Sequence, residues 1–382
     1  MYKQLLTAFL FTLTSIYANT FKNSFEQLTV EGYLRSGYEI HNVQNNKTFR
    51  DGALGGKVHI ETASYYGLSF GSSFYSSNAL GSSDNRGLVP FRGEVAHSYA
   101  ILGEVYVNLK KGNSLLKIGR QEIETPFVQM DDIGIVPNTF EAYVFENRDL
   151  SHTTFFLGQI QKMAGVDANK VDTFTKINKD NNMQVLGISY DGFKNIELNM
   201  WLHYLKDAQI NKISYLEAIY QVQSNTLEYG IGLQWSEQKY PDEKDAYIYG
   251  ISGNIKHLKS GFGLFSAYNK ADGNAVTSGF GGGAFFSSSE YLIIDNSGEN
   301  GSQLLLKLEF DASSIGIESL NIGISKAVLT NKLKEKATEL DFVASYDITP
   351  ELKINTVYSN LKGKKIGEDR AKHFRAFVNY LF

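Results

Sequence analysis

The chain has 382 residues, a formal net charge of −4, 13% aromatic residues, 35 glycines, 5 prolines and no cysteine. The small negative charge excludes a general nucleic-acid binder, and the missing cysteine excludes a disulfide framework, the commonest zinc sites and lipoprotein attachment. Mean hydropathy is −0.24, and past the N-terminus no run of about 18 apolar residues offers a membrane helix. Strand spans stay open, because alternating residues keep averaged hydropathy low.

Residues 1–18 read as a secretory signal peptide: Lys3 supplies positive charge, Leu5–Leu13 is apolar apart from threonine and alanine, and Ala18 is a small residue before Asn19. Residues 19–382 are therefore expected to leave the cytoplasm and fold as one domain. From Gln27 the period is two. Leu28, Val30 and Leu34 share one face, and Thr29, Glu31, Tyr33 and Arg35 the other. Val58 and Ile60 oppose Lys57, His59 and Glu61. Leu68, Phe70 and Phe74 follow, then strands near Tyr99–Leu109 and Leu115–Gly119.

Alternation stops over Lys117–Asp149. Pro126 and Pro137 cannot donate to a sheet ladder, and Glu122, Glu124, Asp131, Asp132 and Glu141 cluster between Arg120 and Arg148. Phe127, Val128, Met130, Ile133, Ile135 and Val136 are too apolar for a loop in free water. The stretch reads as a long loop folded back into the barrel its flanking strands help to build; a packed surface loop is the plainer alternative. Thr153–Ile160 resumes weakly. The clearest strands then follow: Ile196–Tyr204 with Glu197 and His203 on the polar side, Leu227–Trp235 with Glu228 and Gln234, and Tyr247–Ile255 leading to Lys256. Asp191-Gly192, Pro241-Asp242, Asp272-Gly273 and Pro350-Glu351 mark turns. The last strand, Arg370–Phe382, puts Phe374, Ala376, Val378, Tyr380 and Phe382 opposite His373, Arg375 and Asn379.

About eighteen such strands keep a polar face of Gly, Ser, Asn, Glu and Lys, which only water can satisfy, beside an apolar face with aromatics near strand ends. The fold class is an all-β, transmembrane, antiparallel up-and-down β-barrel; sixteen and eighteen strands both fit an even-numbered barrel of roughly this length. Parity points Arg35, Lys57, Lys256, Lys307, Lys353 and Arg375 inward, with Glu61, Glu104, Glu197, Glu217, Glu228, Glu309 and Asp341. That near-even balance favours neither ion sign overall. Carboxylates of the loop facing a basic wall would set a transverse field that orients zwitterions; loop carboxylates paired with Arg120 and Arg148 are the structural alternative.

The residues GRQEIETPFVQMDDIGIVPNTFEA resemble the constriction-loop region of the OprD-type outer-membrane porins. The matching residues are Gly119, Arg120 and Gln121, Thr125-Pro126, Asp132-Ile133, and Pro137 with Thr139-Phe140-Glu141. Residue matching covers 119–141, while Gly279–Asp295 looks like a loop and strand of the same family and the aromatic C-terminal strand resembles the outer-membrane assembly signal. The resemblance implies a monomer-built channel of roughly eighteen strands, whose inward loop and lumen basic residues select small carboxylate-bearing solutes. The family's pattern often places an arginine two residues after the aspartate, where this chain has Gly134; the departure weakens the case for anion specificity.

No catalytic or metal motif accompanies this pattern. The seven histidines include no pair at HExxH spacing, no GxSxG elbow is present, and Gly279–Gly283 lacks the Lys-Ser/Thr of a phosphate loop. No cofactor is called for. The expected function is passive, selective diffusion of small carboxylates, amino acids or ions through the barrel in a bacterial outer membrane, narrowed by residues 122–141. The expected partners are outer-membrane lipid and lipopolysaccharide, those solutes, and the barrel-assembly machinery acting on the last strand; a homotrimer stays open. A plugged barrel serving as adhesin or structural surface protein, and a secreted β-sandwich, are the competing classes.

Overall fold

The computed structural model describes residues 25–43, 47–80, 97–363 and 370–382. The proposed signal, residues 1–18, lies outside them. The first strands are β1 (Thr29–Val43), β2 (Lys47–Glu61), β3 (Leu68–Ala79), β4 (Tyr99–Lys111), β5 (Ser114–Gln121), β6 (Thr139–Asn147) and β7 (Thr153–Ala164). After the two-residue β8 (Thr175–Lys176) come β9 (Met183–Phe193), β10 (Ile196–Leu205), β11 (Lys212–Gln223), β12 (Leu227–Lys239) and β13 (Ala246–His257). The chain finishes with β14 (Phe262–Gly273), β15 (Ser302–Asp311), β16 (Leu320–Thr330), β17 (Lys336–Asp347), β18 (Leu352–Gly363) and β19 (Arg370–Leu381).

Each long strand pairs antiparallel with its neighbours in sequence, β7 pairs with β9, and β19 returns to β1. The ring is therefore closed with 18 strands, and β8 is an addition folded onto the end of β7. Closure removes the exposed edges that a sheet of this size would otherwise present. One end of the barrel carries short turns such as 112–113 and 194–195; the other carries the long connections 122–138, 165–182 and 274–301.

The outer parity is apolar and exposed: Val58, Ile231, Leu233, Leu306 and Leu308 are 40–55% accessible. An apolar belt around a whole molecule is not compatible with water, and lipid stabilises each such side chain by about 1.5–3 kcal/mol. The inward parity divides by height. Toward the short turns it is polar, with Glu197, Asn199, Glu217, Lys307 and Lys353. Toward the long loops it is largely apolar, with Ile160, Met183, Tyr215, Ile248, Leu305 and Leu329 buried. The inner face is thus not wet along its whole length, as alternation alone suggests. Three apolar clusters form there because inward-folded loops cover the wall: Phe127, Phe285 and Leu292 pack on β11–β17, Val128 on β6–β10, and Ile135 and Val136 on Tyr75 and Ile101. The weak alternation of β7 follows, since Phe156 and Ile160 are buried inside while Leu157 is 49% exposed outside.

Candidate functional site

The loop between β5 and β6 is 122–138, so Lys117–Gln121 and Thr139–Asn147 of the interrupted stretch are strand. Its first anchor is Glu122, which accepts bonds from Lys57 Nζ at 2.9 Å and the Tyr75 hydroxyl at 2.7 Å. Its backbone N–H donates to Glu104. Tyr75 lies flat against Gly103, where an added Cβ would sit 2.7 Å from the ring. Pro126 occupies a tight turn closed by backbone bonds between Thr125 and Val128. The turn delivers Phe127, 1% exposed, into an edge-on cage of His203, Tyr215 and Phe285 at centroid distances of 5.4–5.8 Å.

The third anchor is on β1. Arg35 holds both oxygens of Asp132 at 2.5 and 2.8 Å, the Gly134 carbonyl at 2.7 Å, and Asn379 of β19 at 2.6 Å. Tyr33 donates to the Ile135 carbonyl. With β8 left out of the ring, β11 is nine strands from β1 in either direction. The loop therefore spans from the Arg35 wall to the Tyr215 wall across the barrel's diameter. Beneath it a cavity of about 400 Å³ is lined by Tyr33, Lys57, His59, Glu122, Met130 and Asp132, among others.

The connection 274–301 is a second inward loop. Its Phe280 exchanges backbone bonds with Phe127 and Gln129, forming a short parallel bridge with Val128. Gly279 and Gly281 have φ of +87° and +84°, and a Cβ there would lie 2.4 Å from the Phe127 oxygen and 2.3 Å from that of Gln129. Glu339 accepts bonds from Ser289 and from the backbone N–H groups of Tyr291 and Leu292. Tyr291 reaches Glu39 of β1, and Glu290 pairs with Arg375 at 3.0 Å. The strand expected within Gly279–Asp295 is absent; the segment is irregular as far as a 3-10 turn at Ile294–Ser297. This loop's role was missed in the sequence, although its apolar Ala284-Phe285-Phe286 in a strand-free stretch repeats the signal seen at 127–136.

Glu122, Glu124, Asp131 and Asp132 lie in the 122–138 loop. Glu124 accepts a bond from the Met130 N–H, and partial desolvation of its otherwise exposed side chain, helped by the charge on Glu122, raises its pKa above the ordinary glutamate range. Asp295, in the second loop, is likewise pushed up by burial. Arg120, Glu141 and Arg148 are not brought to these groups. Register places Val105, Arg120, Glu141 and Lys162 in one cross-strand row. Val105 is 43% exposed on the outer side. Arg120 lies over the Phe174 ring and 3.9 Å from Glu141, which binds Lys162 at 2.7 Å. Arg148 lies in a short turn at the barrel's opposite end, its side chain 67% exposed and paired with Glu146.

Arg35, Lys57, Glu61, Glu197, Glu228, Lys256, Lys307, Lys353 and Arg375 all share the parity opposite the exposed apolar residues. All six cations among them have carboxylate partners. Arg35 binds Asp132, and Lys57 binds Glu104 and Glu122 at 3.0 and 2.9 Å. Lys256 binds Asp311 at 3.0 Å, Lys307 binds Glu309 at 2.6 Å, Lys353 binds Asp347 at 3.0 Å, and Arg375 binds Glu290. Glu61 accepts from Ser69, Tyr106 and Asn108. Lys117, which parity reasoning passed over, stands 3.7 Å above the Tyr106 ring on the inner face. Among the described residues no three His, Asp or Glu side chains form a group able to hold a metal.

The family model described as "outer membrane porin, OprD family" matches residues 48–381. Similar solved structures include OccK9 (OpdG) of Pseudomonas aeruginosa, with TM-score 0.81, 18% identity, and 94% of this chain and 99% of that chain covered. Pseudomonas aeruginosa OpdK, crystallised with vanillate, gives 0.81 and 16% with the same coverage. A BenF-like porin from Pseudomonas fluorescens Pf-5 gives 0.80 and 13%, again covering 94% and 99%. No curated protein matches the chain.

Proposed function

Since this chain belongs to the OprD family of outer-membrane porins, we propose that solutes cross its barrel by passing the gap left beside two docked loops, 122–138 and 274–301. The protein is an integral outer-membrane channel for small hydrophilic solutes. The reading of this particular passage rests on one observation: the 122–138 loop is tied to Arg35 on β1 and to Tyr215 on β11, nine strands apart, so any solute entering the lumen meets it. Glu122, Glu124, Asp131 and Asp132 then form the polar edge of the narrowing, and Arg35, Lys57, Glu61, Glu197, Glu228, Lys256, Lys307, Lys353 and Arg375 line the path. Rings and rows of charge at such an edge sort ions and polar solutes by sign and orientation.

Export through residues 1–18 and insertion by assembly machinery acting on β19 belong to the same proposal. Porin character calls for no covalent chemistry, and the histidines on the inner face, His59, His203 and His373, are read as structural. The purified barrel in a planar bilayer is expected to give discrete conductance steps. A barrel that inserts, shows heat-modifiable migration and stays electrically silent would replace the channel with a plugged surface protein.

A further inference from the structure

We propose that this channel prefers cations over anions, and that three carboxylates on the β10–β12 wall, Glu197, Glu217 and Glu228, set that preference. The inference rests on the conducting reading above and adds the sign of the solute it favours: small amines and guanidinium compounds, not free carboxylates.

Sequence parity alone makes the inner face look balanced. The ion pairs change that, because a cation held 2.5–3.0 Å from a carboxylate contributes a dipole and not a net charge to a passing solute. With these six inward cations neutralised in this way, the field is set by the carboxylates left over against the unpaired inward lysines, Lys117 and Lys110 on β4–β5. Glu217 accepts bonds from the Tyr215 hydroxyl at 2.7 Å and from Asn199 at 3.2 Å. Asn199 also donates to Glu197 at 3.0 Å, and Gln221 donates to Glu228 at 2.8 Å. These partners are neutral. They fix each carboxylate in position and leave its charge uncancelled.

The neighbouring charges do not reverse the sign. Lys256 stands directly across from Glu228 in the β12–β13 register, but its ammonium is turned to Asp311. Asp341 of β17, six strands from β11, is bonded by Ser325 and is buried, so it adds negative charge behind the path and no cation to it. Against these stand Lys117, held over the Tyr106 ring close to Glu61, whose carboxylate also binds that ring's hydroxyl, and Arg148, which shares a pocket with Glu197 but is paired with Glu146 at 3.6 Å.

Position strengthens the case. Tyr215 is part of the cage around Phe127, so Glu217, two residues on and about 7 Å lower, is the first uncompensated charge beside the loop. Asn199 lies directly opposite Glu217 and links it to Glu197, near the short-turn end. A cation that clears the loop therefore meets a descending row of carboxylates on one wall. Coulomb's law in water at about 8 Å gives each of them roughly a twofold effect on local ion concentration. The effect fades as salt rises, because the screening length falls from about 10 Å at 0.1 M to about 3 Å at 1 M.

The test is the reversal potential of the full-length barrel in a planar bilayer under a KCl gradient, with the dilute side near 0.1 M, where screening is weak. The expected result is a potassium-to-chloride permeability ratio above one, which Glu197→Gln, Glu217→Gln and Glu228→Gln together lower by at least about twofold. Lys353→Gln, which frees Asp347, is expected to raise it. A ratio at or below one, or a triple variant that moves it less than twofold, overturns the inference while leaving the channel intact; a silent barrel overturns the channel reading itself. If the triple variant does not insert, the wild-type protein in liposome swelling decides: lysine entering faster than glutamate supports the proposal, and the reverse order overturns it.

Discussion

Four acceptor atoms converge on the Arg35 guanidinium, from Asp132, Gly134 and Asn379, and the residue is 9% exposed. Arginine suits this place because its planar fork meets a carboxylate with two parallel bonds. The Asp132 side chain is 44% accessible, so water screens the pair and its worth is about 1–2 kcal/mol, below that of a fully buried pair. The Gly134 position gains meaning here. The loop lacks the arginine that the family pattern often carries, and its carbonyl instead accepts a bond from a wall arginine already committed to Asp132. Asp132→Asn removes the charge and half of the fork. Single-channel recordings are expected to show larger and noisier unit conductance as the loop's β1 end loosens, with heat-modifiable migration unchanged. Recordings identical to wild type would mean that Asp132 does not hold the loop.

At the scale of elements, the two inward loops act as one body because each satisfies the other's backbone. Phe127, Gln129 and Phe280 share two hydrogen bonds beside the buried Phe127 and Val128 side chains, and a peptide group left unpaired on burial costs about 1–3 kcal/mol. Glycine at 279 permits both the left-handed backbone and the close approach. Gly279→Val is expected to cost about 2 kcal/mol of docking from strain and clash, and to make 122–138 cleavable by added protease in detergent-solubilised barrels. Gly253→Ala, with no neighbour nearer than 3.8 Å and an ordinary backbone, is the matched control and is expected to stay resistant. Equal resistance in both would show that the loops dock independently. The apolar run of 127–136 was legible as an inward loop because it cannot rest in water. The apolar run in 274–301 is as visible, but the resemblance reads Gly279–Asp295 as a loop and strand, and only its glycine-rich approach points to a second inward loop.

For the whole molecule, inside and outside are set by parity, and a one-residue slip exchanges them. Leu233, 53% exposed on the outer belt, and Asn355, exposed on the inner face of β18, make the contrast measurable. Leu233→Arg, at the middle of β12, buries a charge in hydrocarbon and is expected to cost about 2–4 kcal/mol, lowering the fraction of barrel that migrates as folded in an unboiled gel. Asn355→Arg places the same side chain in water and is expected to leave that fraction unchanged. Equal losses would mean that the lumen is dry at Asn355.

Local pattern was enough for the architecture. Period-two alternation, the proline-flanked interruption and the aromatic last strand are carried by neighbours in sequence, and they point to a closed barrel of about eighteen strands with an inward third loop. Local pattern also assigned the parity of Arg35, Lys57 and Arg375. It misjudged Arg120, Glu141 and Arg148, since closeness to a loop in sequence says nothing of the face a strand presents or the barrel end a turn occupies. Tertiary structure alone decided which inner walls the loops keep dry and which cations are neutralised, as Arg375 is by Glu290, 85 residues away. Folding brings such partners together from distant parts of the chain, so their distance, and with it the net charge left facing the solute, is written in no single stretch of sequence.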